Sequence, residues 1–194
     1  MHVLSGNPLQ IFQQAVVLHD QGRLWEAEQL YQTVLTRDDR HFGSLFRLGM
    51  LRLDQRRLED AERLFRRAVK ADKRSAEAHQ LLGFALTGLD RLADAVRSYE
   101  KAIALRPAFA EAHNNLGYAL QVLGRLDEAI AHYKKAIALR SDYHEAHNNL
   151  GNAFHLLNQS ETAIIRYEKA LEIKPDYAEA HWNLGTALRA VGRL

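Results

Sequence analysis

Hydrophobic and small residues recur along this chain at a constant spacing of 34 residues. Laid against itself at that shift, the chain aligns AEAHQLLGFAL at 76–86, AEAHNNLGYAL at 110–120, HEAHNNLGNAF at 144–154 and AEAHWNLGTAL at 178–188. Counted from the start of a repeat, positions 4, 7, 8 and 11 share one helical face, and positions 17, 20, 24, 27 and 28 share another. Each repeat is therefore predicted to form two amphipathic helices, an A helix followed by a B helix.

The repeats follow one another without an insertion, so the same pattern predicts the domain organisation. Residues 1–7 are predicted to be an N-terminal arm, followed by a single array with repeats at 8–41, 42–75, 76–109, 110–143 and 144–177 and a partial repeat at 178–194. Leu194 is position 17 of the sixth unit, whose A helix would lack a B helix. We expect the natural protein to continue beyond Leu194, and the uncovered face of its last helix to allow self-association.

Two features mark the starts of predicted A helices. Asn7 followed by Pro8 offers an N-cap and a proline at the first helical position. Asp142 lies three residues before Glu145, and the same spacing recurs one repeat later. This spacing predicts capping boxes at the fifth and sixth A helices.

Several positions carry the same kind of residue in every repeat. Position 20 is alanine in all five full repeats, and position 24 is aromatic, as Tyr31, Phe65, Tyr99, Tyr133 and Tyr167. Position 8 is glycine from the second repeat onward. This pattern resembles the tetratricopeptide repeat family, and the resemblance covers nearly the whole chain. It implies an all-α fold, a right-handed α-solenoid of helical hairpins whose A helices line a concave groove and whose B helices form the convex face.

The resemblance also implies which side chains face the groove, namely positions 2, 5, 6, 9, 12 and 13 of each A helix. A row of asparagines occupies or adjoins these positions: Asn114, Asn115, Asn148, Asn149, Asn152 and Asn183. We expect a peptide-binding groove formed by this row together with Phe84, Tyr118 and Gln121. Side-chain amides can donate to and accept from the backbone of an extended peptide. The row resembles the asparagine ladder of O-linked N-acetylglucosamine transferases and SPINDLY-type proteins. The alternative is that these amides are merely solvated.

The amino-terminal repeats carry apolar residues at the same inward positions. Phe12, Phe46 and Met50 are candidates for a hydrophobic part of the groove, because exposed apolar surface of that extent is costly unless a partner covers it. The alternative is that these side chains pack against neighbouring helices as ordinary core. The sequence leaves both readings open.

Composition narrows the chemistry further. The chain has no cysteine, which excludes disulfides and thiolate metal sites. Histidine occupies position 4 in each repeat from the third onward. Adjacent repeats are about 10 Å apart, which is too far for these histidines to bind one zinc ion, because each ligand must lie about 2 Å from the metal. We therefore predict no catalytic residues, no metal and no cofactor.

Charge does not favour nucleic acid as a partner, because the formal net charge is only +2. The excess is local: residues 42–75 contain ten Lys or Arg and five Asp or Glu. Arg63, Arg66, Arg67 and Lys70 cluster on one B helix with acidic residues interleaved, which we interpret as a solvated face. No apolar run approaches the roughly 18 residues of a membrane span, and no basic leader precedes the array, so a cytoplasmic location is expected.

Together these features predict a protein-interaction scaffold that binds an extended polypeptide in its concave groove. Two alternatives remain at this stage. One is the substrate-recruiting arm of a longer O-linked N-acetylglucosamine transferase, whose catalytic domain would lie beyond Leu194. The other is a structural assembly scaffold that binds partner proteins on either face.

Overall fold

The computed structural model describes residues 7–193, and all regular secondary structure in that range is helical. The A helices are α1 (Pro8–Asp20), α3 (Phe42–Asp54), α5 (Ala76–Gly88), α7 (Ala110–Val122), α9 (His144–Leu156) and α11 (Ala178–Ala190). The B helices are α2 (Leu24–Arg37), α4 (Leu58–Ala71), α6 (Leu92–Leu105), α8 (Leu126–Leu139) and α10 (Ser160–Ile173). Every A helix begins at position 1 of its repeat and every B helix at position 17. The prediction of an all-α fold built from helical hairpins is confirmed.

The helices belong to two compact units, Met1–Arg91 and Leu92–Leu194. In the first unit, α1 packs on α2 and α3 on α4 as hairpins, and contacts of α2 with α3 and of α4 with α5 join them. In the second unit, the hairpins α7–α8 and α9–α10 meet through α8 and α9, with α6 packed on α7 and α11 on α10. Helix α9 also contacts both α7 and α11, so three A helices form a row.

Glycine at position 8 lets the two helices of a hairpin approach closely. A Cβ added at Gly117 would lie 2.7 Å from the ring of Tyr133, and one at Gly151 would lie 2.6 Å from Tyr167. Both tyrosine rings are buried at position 24 of the following B helix. The periodic glycine and the periodic aromatic residue are thus two halves of one contact, which explains why they recur together.

The turn between an A helix and its B helix contains a left-handed residue at position 15 in all six repeats. Three of these residues are glycines, among them Gly124 at φ 77°. The others are Arg56 at φ 57°, Asp90 at φ 57° and Asn158 at φ 59°. Aspartate and asparagine tolerate this conformation, whereas an arginine there is strained because its Cβ crowds the following carbonyl.

The helix starts confirm one capping prediction and correct another. Asn7 caps α1: its Oδ1 accepts from the backbone N–H of Gln10 at 2.9 Å, and the Gln10 side chain accepts from the backbone N–H of Asn7 at 3.2 Å. The capping boxes predicted for α9 and α11 are wrong, because Tyr143 and Tyr177 hold the N-cap positions and make no side-chain cap bond. The ring of Tyr177 instead packs edge-on against His144 at 5.0 Å.

Candidate functional site

Side-chain amides connect successive A helices in the second unit. Nδ2 of Asn149 on α9 donates to Oδ1 of Asn114 on α7 at 3.0 Å, and Nδ2 of Asn183 on α11 donates to Oδ1 of Asn148 on α9 at 3.0 Å. Each bond joins position 6 of one repeat to position 5 of the repeat before it. Four of the six predicted asparagines therefore form a series of two amide pairs, each of which joins two successive A helices.

Two of the predicted groove residues lie inside this series. Asn114 is 6% exposed and Asn148 is 0% exposed. Asn148 also donates to Oε1 of Glu179 at 3.0 Å, while the other oxygen of Glu179 accepts from the Tyr177 hydroxyl at 3.1 Å. Asn114 and Asn148 thus join helices instead of lining open surface. The sequence pattern could not reveal this, because a buried polar amide is stable only where a partner pairs with it.

An open cavity of about 280 Å³ lies along α7, α9, α10 and α11. It brings together three of the predicted residues, Gln121, Asn152 and Asn183. The remaining lining residues are His155, Leu156, Tyr167, Trp182 and Thr186. All these helices belong to the second unit, and we call this surface the amide groove.

Buried tyrosines orient two amides of the amide groove. The Tyr167 hydroxyl donates to Oδ1 of Asn152 at 2.8 Å, and the Tyr133 hydroxyl donates to Oε1 of Gln121 at 3.1 Å. Burial raises the pKa of both phenols well above its usual value, so each hydroxyl stays protonated and available as a donor. Because the amide oxygens are held by the tyrosines, the NH₂ groups of Asn152 and Gln121 are the ends left to donate to a ligand.

The amide groove also contains apolar side chains that the sequence analysis did not name. Trp182 is 73% exposed and Leu156 is 56% exposed. They occupy positions 5 and 13, which belong to the inward set given by the family resemblance. The prediction rested on the asparagines, although the inward positions given by the family resemblance also include these two residues.

The other predicted groove residues of these A helices lie nearer the surface than the buried amides. Asn115 on α7 is half-buried, and its Oδ1 lies 3.5 Å from Nδ2 of Asn114. Tyr118 on α7 is 46% exposed, and Phe84 on α5 in the first unit is 49% exposed. Their role in ligand binding remains a prediction.

In the first unit the candidate hydrophobic groove residues are half-buried and packed. The Phe12 ring lies 4.7 Å from the ring of His41 and 5.9 Å from that of Tyr31. The Phe46 ring stacks on the Phe42 ring at 5.6 Å and packs edge-on against the buried Phe65 ring of α4. These contacts match the alternative of ordinary packing. Met50 is half-buried as well, and a groove role for all three residues stays a prediction.

Three of the histidines at position 4 bind backbone oxygens. Nε2 of His113, His147 and His181 lies 3.1, 3.1 and 2.8 Å from the carbonyl oxygens of Pro107, Ser141 and Pro175. Each carbonyl is position 32 of the preceding repeat, so this histidine ties the start of an A helix to the end of the B helix before it. Within residues 7–193, no three His, Asp or Glu side chains are grouped so that they could hold a metal ion.

One of these histidines has a second histidine beside it. Nδ1 of His113 lies 3.0 Å from Nδ1 of His132 on α8, and the two rings stack with centroids 5.3 Å apart. Burial lowers the pKa of both rings, because the charged form loses hydration there. The pair is therefore neutral near pH 7, with one Nδ1 donating and the other accepting.

Comparison with known proteins identifies the repeat. Tetratricopeptide repeat models match residues 18–83, 87–124 and 109–176. No match was found among curated protein sequences. In the described part of the chain, none of the helices has the length and apolar character needed to cross a membrane.

Solved structures match most of the chain. MamA is 28% identical with a TM-score of 0.77, over 85% of this chain and 96% of that chain. YrrB, a tetratricopeptide repeat protein with an unusual peptide-binding site, is 23% identical with a TM-score of 0.78, over 89% of both chains. TTC0263, a thermophilic tetratricopeptide repeat protein of Thermus thermophilus, is 23% identical with a TM-score of 0.71, over 94% of this chain and 99% of that chain.

These matches show the family and the fold. They give no support to the alternative of a glycosyltransferase arm or to the closer likeness to O-linked N-acetylglucosamine transferases. Repeat models of one family together match more than half of the residues, and the helical hairpins of the structure follow the same register. The chain belongs to the tetratricopeptide repeat family.

Proposed function

We propose that this protein is a non-catalytic interaction scaffold that binds an extended polypeptide segment in the amide groove of α7, α9 and α11. The observation that carries the proposal is the orientation of Asn152 and Gln121 by buried tyrosine hydroxyls. Amides whose oxygens are already bonded inside the protein present their N–H donors to a ligand without further rearrangement. Such preorganisation favours binding because less rotamer freedom is lost when the ligand arrives.

The natural acceptors for these donors are the carbonyl oxygens of a peptide backbone. An extended chain repeats two residues in about 6.7 Å, and the axes of packed helices lie about 10 Å apart, so successive A helices meet carbonyls about three residues apart. Hydrogen bonds of this kind recognise the extended backbone of the peptide and depend little on its side chains. In this proposal Asn149 and Asn183 hold the helices in register, while Asn152 and Gln121 contact the ligand.

Side-chain preference of the ligand would come from the apolar part of the amide groove. Trp182 and Leu156 leave apolar surface open beside the amide donors. Exposed aromatic surface next to a few fixed polar groups is typical of sites that bind an anchoring side chain. We therefore expect the bound segment to carry an aliphatic or aromatic residue there. YrrB is a precedent for a peptide-binding site on this fold.

Selection of peptides from a displayed random library tests the proposal. The variant Asn152→Asp keeps an acceptor for the Tyr167 hydroxyl and removes both N–H donors. Asn158→Asp is its control, because it makes the same charge change in an exposed turn outside the amide groove. Peptides enriched on the natural chain should bind Asn158→Asp equally and Asn152→Asp at least about tenfold more weakly. Enriched peptides that bind both variants equally would contradict the proposal.

A further inference from the structure

A second cavity, of about 310 Å³, lies on α3 and α4 in the first unit. Its lining is mostly arginine: Arg52, Arg57, Arg63 and Arg67, with Asp60 and Leu64. The lining residues thus include four guanidinium groups and one carboxylate. The cavity shares no residue with the amide groove, so its role can be tested separately.

Arg52, the most buried of the four arginines, forms the floor of this cavity, and Glu28 neutralises its charge. Arg52 is 8% exposed, and its guanidinium donates to Oε2 of Glu28 at 2.9 Å and to Oε1 of Gln55 at 2.8 Å. The hydrogen bond from Arg52 holds the pKa of the Glu28 carboxyl below its usual value. This pair orients the floor and contributes no net charge.

The rim, in contrast, has more cations than anions. Arg57 and Arg63 both pair with Asp60, the one carboxylate among the lining residues. Arg67 donates at 2.7 Å to the backbone carbonyl of Asp39, an acceptor without formal charge. Among the lining residues of the rim there are thus three guanidinium groups and one carboxylate, which is an excess of two positive charges. Each fork has more N–H donors than these contacts use.

We propose that this arginine-lined cavity binds the oxyanion side chains of an acidic peptide segment, either carboxylates or phosphates. Guanidinium forks match the planar geometry of such groups and bond them through two parallel N–H donors. A cavity of about 310 Å³ that is open to solvent accommodates one or two side chains.

The surroundings of the cavity favour an acidic peptide over nucleic acid. The arginines of the cavity lie between Arg52 and Arg67 with acidic residues such as Glu59 interleaved, and the chain as a whole has a formal charge of only +2. Binding along a phosphate backbone requires a longer basic stripe, and recognition of single strands adds aromatic rings for base stacking. The cavity lining contains no aromatic ring.

Fluorescence anisotropy with labelled peptides tests the proposal on the full chain. The probes are a glutamate-rich peptide, its glutamine analogue and a peptide with two phosphoserines, each at 50 and 150 mM salt. We expect binding of the glutamate or phosphoserine peptide, weaker binding at the higher salt, and no binding of the glutamine analogue. Comparison of the first and third probes identifies which oxyanion is preferred.

Double variants distinguish binding in the cavity from a general effect of net charge on affinity. Arg63→Gln with Arg67→Gln removes two rim charges, and affinity should fall on the order of tenfold. The control, Arg125→Gln with Lys135→Gln, also removes two charges and changes the corresponding B-helix region of another repeat, where Arg125 pairs with Glu128. It should change affinity by less than about twofold. Arg63→Lys with Arg67→Lys keeps both charges but removes the paired N–H donors of the guanidinium groups. We expect its loss of affinity to lie between those of the other two double variants.

Three results would overturn the proposal: equal losses in the rim and control variants, equal binding of the glutamine analogue, or displacement of the acidic peptide by an oligonucleotide at lower concentration than by unlabelled peptide. If the rim double variant unfolds, the single variant Arg63→Gln serves instead. It leaves Asp60 paired with Arg57 and should still lower affinity severalfold. Unchanged affinity in that folded variant would equally contradict the proposal.

Discussion

Nδ2 of Asn149 donates a 3.0 Å hydrogen bond to Oδ1 of the buried Asn114, and one repeat later Asn183 makes the same bond to Asn148. The sequence predicts that this row of amides binds a ligand, but some of the amides instead join consecutive A helices by hydrogen bonds. The amides that remain for a ligand are at the neighbouring positions, and tyrosine hydroxyls orient them.

The hydrogen bond between Asn149 and Asn114 should contribute measurably to the free energy of unfolding. Asn149→Ala leaves Oδ1 of Asn114 buried without its donor, and we expect the free energy of unfolding to fall by about 1–3 kcal/mol. Asn115→Ala is the control, because this asparagine has the same position and the same intermediate exposure, but its contact with Asn114 is long at 3.5 Å. Urea unfolding of the two variants should separate them. Equal losses would mean that the inter-helix bond contributes little.

Glycine at position 8 should matter only where a ring packs on it. Gly117→Ala places a Cβ 2.7 Å from the buried Tyr133 ring, and overpacking of this kind costs about 1–3 kcal/mol. Gly185 occupies the same repeat position on α11 but has no atom within 4 Å of the added Cβ. Gly185→Ala should therefore be neutral or stabilise by up to about 1 kcal/mol, because alanine favours the helix. Thermal unfolding of both variants measures the difference, and a larger loss at Gly185 would refute this explanation.

Arg56 is the strained member of the left-handed turn positions. Replacing it with glycine should raise the free energy of unfolding by about 1 kcal/mol, because the Cβ penalty at φ 57° disappears. The reverse change at the equivalent position, Gly124→Ala, should lower it by about the same amount. Chemical denaturation measures both. A destabilised Arg56→Gly variant would show that the arginine side chain contributes more than its backbone costs.

Stability should depend on pH through the stacked pair of His113 and His132. In the unfolded chain both rings bind protons near pH 6.5, whereas burial in the folded chain lowers their pKa. The unfolded state therefore takes up more protons as the pH falls below about 6.5, and the free energy of unfolding should decline from that pH downward. In His132→Phe, which keeps a ring for stacking, this decline should be shallower. Urea unfolding between pH 7.5 and 5 measures both slopes, and equal slopes would contradict the role of the pair.

The periodic sequence predicted the features that one repeat determines by itself. The pair of helices in each 34-residue repeat follows from residue types at fixed positions. The contact of Gly117 with the Tyr133 ring was not predicted, although both residues belong to the periodic pattern. Features that depend on the partner of a polar group were not predictable in the same way. The burial of Asn148 depends on Asn183 and Glu179, each in the next repeat.

Two further features also differ from the sequence predictions. Asp142 has the spacing of a capping box, but the helix begins one residue later because Tyr143 takes the N-cap position. The sequence alone indicates that the arginines of α4 form a solvated face. Only the structure shows that Arg52, on a different helix, lies at the floor of the cavity around which they gather.

The most direct test of the central claim uses the fluorescence of Trp182. The chain has two tryptophans, so Trp25→Phe leaves Trp182 as the single reporter in the amide groove. Titration with a library-selected peptide should shift its emission to shorter wavelength, with unchanged affinity in Asn158→Asp and at least about tenfold weaker affinity in Asn152→Asp. A peptide that binds with no change in Trp182 emission, or with the same affinity for both variants, would contradict peptide binding in the amide groove.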